Sequence, residues 1–138
     1  MPPKPIKVAV VDDDQIYQFI MQRTLAKIDS ASKILNFSNC EDFLIFLKRN
    51  AQNPDYLPDL VLLDLNTPFM NGWEFLEAYN TLKASLSKKI DVYMVSSSVD
   101  PYDMEEATNQ ENLQGFLTKP LNPEQLQEMV YSAAVHKS

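Results

Sequence analysis

Five short apolar runs alternate along this chain with stretches whose apolar residues recur at helical spacing, and few architectures accept that order. Lys7-Val8-Ala9-Val10-Val11 is the first run and ends on Asp12-Asp13-Asp14. Ile34 to Phe37 is the second, Asp59 to Asp64 the third, Val92 to Val95 the fourth and Phe116 to Thr118 the fifth. Short runs bounded by turn residues read as buried strands. Short helical crossovers between them force parallel strands, right-handed connections and helices on both faces of one sheet. The expectation is one doubly wound α/β sheet of five parallel strands with five helices.

The helices carry their own punctuation. Ile16, Phe19, Ile20, Leu25 and Ile28 lie at helical spacing on one broad face, after Asp14 as N-cap. Asn39 caps a helix over Cys40–Asn50 with Phe43, Leu44 and Leu47 inward, and Ala51–Pro58 reads as a polar loop. Gly72 to Leu82 places Phe75, Leu76, Tyr79 and Leu82 on one side. Asp100-Pro101-Tyr102-Asp103 sets an acid before a first-turn proline, and Asn122-Pro123-Glu124-Gln125 repeats the device as a capping box. The last helix aligns Leu126, Met129, Val130, Ala133 and Ala134.

In such a sheet the strands point the same way, so their carboxyl ends share one edge, where ligands bind in open α/β folds. That edge collects Asp12, Asp13 and Asp14, then Asp64, Ser96 and Lys119. Asp14 serves as helix cap rather than ligand. Gathered carboxylates repel by about 4 kcal/mol per pair at 4 Å and an effective dielectric of 20, so such a site calls for a cation. A hard divalent ion such as Mg²⁺ suits oxygen ligands, and Lys119 adds a point charge. The chemistry favoured is phosphoryl transfer onto a carboxylate oxygen, with metal and lysine neutralising the transferred charge. With two glycines in the chain, neither a dinucleotide fingerprint nor a P-loop fits.

Val10-Val11-Asp12-Asp13, Leu63-Asp64 through Pro68 and Gly72, Val95-Ser96-Ser97, and Phe116 with Lys119-Pro120 occur in one order and spacing. Through these motifs the chain resembles the receiver domain of bacterial two-component response regulators, over residues 6 to 136. The resemblance implies a flavodoxin-like fold, strand order 2-1-3-4-5. It implies Asp64 as acceptor of a phosphoryl group from the phosphohistidine of a sensor histidine kinase or phosphotransfer protein. Asp12, Asp13, Asp64 and the backbone carbonyl of Asn66 hold Mg²⁺ in that reading. Ser96, Ser97 and Lys119 contact the phosphate, Lys119 ahead of a cis proline bond, and Phe116 changes rotamer with Ser96. A downstream protein then reads the fourth helix, fifth strand and fifth helix. Thr67 departs from the methionine frequent in the family, beside the acceptor loop.

Other classes fare less well. A net charge of −7 argues against nucleic-acid binding. No apolar run reaches the ~20 residues of a membrane span, and no secretory signal opens the chain, so the expected location is the cytoplasm. A lone Cys40 suits a reducing compartment and reads as a packing residue. His136, the only histidine, is not read as a phosphodonor. Residues 1–5 read as a poorly ordered lead-in and 6–138 as one receiver domain that is not a turnover enzyme. The chain stops at Ser138, which suits a stand-alone receiver and leaves a fragment of a longer regulator open. The rival is a small metal-dependent phosphatase with Asp64 as nucleophile. It needs a second acid where this chain has Asn66.

Overall fold

Ile6–Val11 forms β1, in which Val8 and Val10 face one side of the sheet and Ala9 and Val11 the other. Both faces are covered, which is why the run is apolar throughout rather than alternating. The remaining strands are β2 (Ala31–Phe37), β3 (Leu60–Asp64), β4 (Asp91–Ser96) and β5 (Leu113–Thr118). They lie parallel in the order β2-β1-β3-β4-β5, as expected. This computed structural model describes residues 5–28, 31–98 and 100–136. Apart from Pro5, the expected lead-in falls outside the described residues, as does the side chain of His136.

The helices are α1 (Gln15–Ala26), α2 (Cys40–Arg49), α3 (Gly72–Leu82), α4 (Pro101–Thr108) and α5 (Pro123–His136). A short 3-10 turn, Lys83–Ser85, follows α3. Phe43 and Leu47 of α2 pack with Phe75 and Leu76 of α3 on one face of the sheet. Met21 and Leu25 of α1 pack with Leu126 and Val130 of α5 on the other. Helix α4 has no buried residue.

The caps follow the sequence. Asp14 accepts from the N–H groups of Ile16 and Tyr17, Asn39 from Asp42, and Asp100 from Asp103. Asn122 and Gln125 bond reciprocally at the start of α5, and Asn71 and Glu74 do the same for α3.

Three expectations need correction. On α1, Ile16, Phe19 and Ile20 are 73%, 58% and 54% exposed. The stripe that meets the sheet runs instead through Tyr17, Met21, Leu25 and Ile28. Both stripes have helical spacing, and only the cap at Asp14 and the seat of α5 choose between them. The Ala51–Pro58 loop is not wholly polar, since Leu57 is fully buried and its carbonyl accepts from Lys88 Nζ at 3.0 Å. Strands β2 and β5 also start three residues earlier than their apolar runs suggest. Ladder pairing carries Ala31 and Lys33 beside β1, and Leu113 and Gly115 beside β4.

Candidate functional site

Backbone bonds hold the carboxyl ends of the strands in step. The Asp12 N–H donates to the Phe37 carbonyl, Leu65 to Val95 and Lys119 to Ser96, each at 2.9 Å. Gln18, which the sequence reading did not single out, adds a side-chain tie from α1. Its Nε2 lies 3.0, 3.1 and 3.0 Å from the carbonyls of Val10, Asp12 and Phe37. Two N–H bonds serve three acceptors, so at least one is shared. Three carbonyls converging on one end of the amide also settle which end carries the nitrogen.

On that edge the carboxylates of Asp12, Asp13 and Asp64 each bring an oxygen within 4.8 Å of the others. Asp12 and Asp64 are buried and Asp13 is exposed, so the cluster opens to solvent on one side. Asp12 Oδ1 accepts the Asp14 N–H at 2.9 Å, and Oδ2 meets Lys119 Nζ at 2.5 Å. The same ammonium lies 3.6 Å from Asp64 Oδ2. Asp64 Oδ1 accepts the Asn66 N–H at 3.2 Å, a local turn that leaves Asn66 itself exposed. The Lys119–Pro120 bond is cis, as expected.

Burial holds the Asp64 carboxyl above the usual carboxylate range. The Asn66 N–H pulls it back, Asp12 pushes it up again, Lys119 lowers it and Asp13 raises it. A carboxylate kept ionised here needs positive charge at hand. The donor set is oxygen only, with one side open, which fits a hard divalent ion that retains water.

Tyr17 also reaches the edge. Lys119 Nζ sits 4.1 Å from the centre of its ring, a cation–π contact worth about 0.5–2 kcal/mol depending on desolvation. The Tyr17 hydroxyl is buried without a hydrogen-bond partner among the described residues. Burial, then Asp12 and Asp64, drive its pKa well above that of an ordinary phenol.

The other expected residues lie apart from this cluster in their bonding. Ser96 is fully buried, and its hydroxyl donates to the Ser98 carbonyl at 2.6 Å. Ser97 is exposed on the loop after β4. Phe116 is half-buried and stacks on Trp73, with ring centres 6.0 Å apart. Thr67 turns inward: its hydroxyl donates to the Met70 carbonyl at 2.6 Å and lies 3.1 Å from Cys40 Sγ. A hydroxyl has one proton, so the thiol is the donor in that second contact. Cys40 is the packing residue expected, with burial foremost pushing its thiol up to about 11.

Residues 8–131 match the response regulator receiver domain family. The chain belongs to that family. This receiver domain is 30% identical over 131 residues to the nitrate/nitrite response regulator protein NarL of Escherichia coli K12, covering 95% of the chain and 56% of NarL. It is 28% identical over 132 residues to the sensory/regulatory protein RpfC of Xanthomonas campestris pv. campestris, covering 96% of the chain and 17% of RpfC. The receiver domain therefore spans only part of either curated relative. Among solved structures, a response regulator receiver protein from Dyadobacter fermentans is 28% identical with a TM-score of 0.77, covering 92% of this chain and 96% of its own. A two-component response regulator from Cytophaga hutchinsonii superposes with a TM-score of 0.84 over 96% of this chain and 99% of its own. At 23% identity that likeness concerns the fold alone.

Sequence reasoning brought Asp12, Asp13, Asp64 and Lys119 together at the carboxyl edge of the sheet and missed the contacts of Tyr17, Gln18, Trp73 and Asp103. The Trp73 indole N–H donates to Asp103 of α4 at 3.1 Å. Tyr17, Gln18 and Trp73 belong to no motif, and Asp103 is legible in the sequence only as a first-turn acid of α4. Tyr17 and Gln18 follow the Asp12-Asp13 pair by one helical turn, and that spacing is the one signal available for them. No helix among the described residues is long and apolar enough to cross a membrane.

Proposed function

We propose that Asp64 is the phosphoacceptor of a two-component phosphorelay, taking its phosphoryl group from a phosphohistidine on a sensor histidine kinase or phosphotransfer protein. The observation that carries the reading is the position of Lys119, whose ammonium lies 2.5 Å from Asp12 and 3.6 Å from Asp64. An Asp64 oxygen attacks phosphorus, the phosphorus–nitrogen bond breaks, and the imidazole leaves with a proton as an acyl phosphate forms. Lys119 turns from Asp12 towards the new phosphoryl oxygens. Asn66 keeps the other Asp64 oxygen oriented through its N–H.

Mg²⁺, held by Asp12, Asp13, Asp64 and the Asn66 carbonyl, supplies neutralising charge for the transferred group when bound. Ser96 gives up its bond to the Ser98 carbonyl and turns to the phosphate, bordered by Ser97, and Phe116 changes rotamer. The acyl phosphate carries about −2 where the ionised Asp64 carried −1, so the strand ends gain about one negative charge. A downstream protein reads the result on α4, β5 and α5. Support comes from α4, which has no buried residue and so little packing to hold it in one place. We place the reaction in the cytoplasm, where a lone reduced Cys40 is at home. Residues 6–138 act as one receiver unit with no membrane or nucleic-acid contact. The domain is no turnover enzyme, although it assists its own phosphorylation and dephosphorylation.

Incubation with Mg²⁺ and a small phosphodonor such as acetyl phosphate tests this. The expected product is one acid-labile phosphate per chain, absent without Mg²⁺ and absent in Asp64→Asn. Bulk turnover of the donor with no retained phosphate points to the rival phosphatase. Undiminished labelling of Asp64→Asn rejects the site.

A further inference from the structure

We infer that Tyr17 is the positioning residue for Lys119, carrying its ammonium on the ring face beside Asp64. This role rests on the phosphoacceptor reading and adds a residue to it. Lysine ends in a point charge on a flexible four-carbon stem, so its direction has to be set from outside. Asp12 does part of this at 2.5 Å, but it also competes with any phosphoryl group on Asp64 for the same N–H bonds. The Tyr17 ring is a partner of another kind. It attracts the ammonium at 4.1 Å through its quadrupole and takes none of the donors in the direction of the two carboxylates.

The ring is itself held. The Tyr17 N–H donates to Asp14 at 3.2 Å in the first turn of α1, and the side chain packs against the cluster that contains Val10, Leu62 and Val95. Lys119 comes from the far end of the chain, 107 residues from Asp12, and lands between these fixed groups. When Lys119 leaves Asp12 for a phosphoryl oxygen, the ring face keeps the charge from swinging out to solvent. The Tyr17 hydroxyl plays no part, since it is buried without a hydrogen-bond partner among the described residues and the attraction lies in the ring.

The test uses the whole chain with Mg²⁺ and saturating acetyl phosphate, following phosphate gain at Asp64. Tyr17→Leu is expected to slow it about fivefold, the factor for a partly desolvated cation–π contact. Tyr17→Phe, which keeps the ring, restores the rate to within about twofold on the same basis. Mg²⁺ affinity stays the same in both, because the carboxylates set it. An independent readout is the proton resonance of the Lys119 Cε methylene. It is shifted upfield by the ring in the wild type and Tyr17→Phe, and returns to the ordinary lysine position in Tyr17→Leu. Should Tyr17→Leu fail to fold, Tyr17→Met fills the space with an unbranched chain and no ring.

A wild-type rate in the ringless variant overturns the role, and so does a Lys119 resonance that sits at the ordinary lysine position in the wild type itself. So does a loss in Tyr17→Phe equal to that in Tyr17→Leu, which assigns the effect to the hydroxyl. A wild-type chain that takes no phosphate brings down the phosphoacceptor reading and this role together. A wild-type chain that is phosphorylated while Tyr17→Leu matches it brings down this role alone.

Discussion

The indole N–H of Trp73 donates to the carboxylate of Asp103 at 3.1 Å, joining α3 to α4. The same indole stacks on Phe116 of β5, so a single side chain of α3 touches both α4 and β5. Any movement of α4 or Phe116 has to change what surrounds this ring. Trp73 is the chain's sole tryptophan, so its emission reports on that movement directly. Beryllofluoride with Mg²⁺ is expected to shift Trp73 emission in the wild type and to leave Asp64→Asn unchanged. Asp103→Ala costs about 1 kcal/mol in urea unfolding, as a part-buried donor loses its partner. It also shifts the resting emission towards that of the beryllofluoride form. A resting spectrum unaltered in Asp103→Ala rules out the link.

Lys119 is the cation paired with Asp12 and Asp64, and its loss should make stability depend on added metal. Lys119→Met is expected to lose about 3 kcal/mol in EDTA, because it strands the buried Asp12 charge. Mg²⁺ should then recover more stability in the variant than in the wild type. At a hundredfold excess over Kd, binding to the native state alone contributes about 2.7 kcal/mol. Urea midpoints with and without Mg²⁺ measure both, and equal metal responses in the two proteins contradict the arrangement.

Gly72 opens α3 at a place with no room for a methyl group. An added Cβ falls 2.4 Å from Met94 Sδ and 3.1 Å from the Leu65 Cα. Met94 is fully buried in the core, and Leu65 follows Asp64 directly, so neither gives way freely. Gly72→Ala is expected to destabilise by about 1–3 kcal/mol through overpacking. The added pairing Gly72→Ala with Met94→Val should recover part of it, because the Sδ that clashes is gone. Thermal melts of the single and double variants decide the matter.

Tyr79 supplies a pH signature away from the acidic edge. Burial first, and Asp91 second, push its phenol from 10.0 up to about 12. The folded value lies above the unfolded one, so in the interval between them the unfolded chain has released a proton that the native chain keeps. Stability attributable to Tyr79 is intact below pH 10.0 and declines until about pH 12. Tyr79→Phe escapes that decline. The stability gap between wild type and Tyr79→Phe should therefore move in the variant's favour from pH 9 to pH 11, by denaturant titration. A gap independent of pH contradicts the shift.

The alternation of apolar runs and capped helices was enough to specify a five-stranded parallel sheet. Each signal is local: a β-branched run, an N-cap acid, a proline in a first turn. Parallel topology then sends Asp12, Asp64, Ser96 and Lys119 to one edge without any knowledge of side-chain direction. For that reason the acidic cluster and its lysine could be read from the chain, and the family motifs with them.

Direction and choice of partner belonged to the tertiary structure. Helix α1 carries two apolar stripes of similar spacing, and the sheet took Tyr17, Met21 and Leu25 while Ile16, Phe19 and Ile20 went to solvent. Periodicity records that a face exists and not which of two faces is covered, because the covering residues of α5 lie a hundred positions away. The contact of the Thr67 hydroxyl with Cys40, 27 positions away, had no local signature either. Tyr17 beneath Lys119 and Trp73 against Asp103 join residues 102 and 30 positions apart in the chain. Such pairs arise only when packing has placed both backbones, since a side chain's partner is set by the space around it and not by its neighbours in sequence.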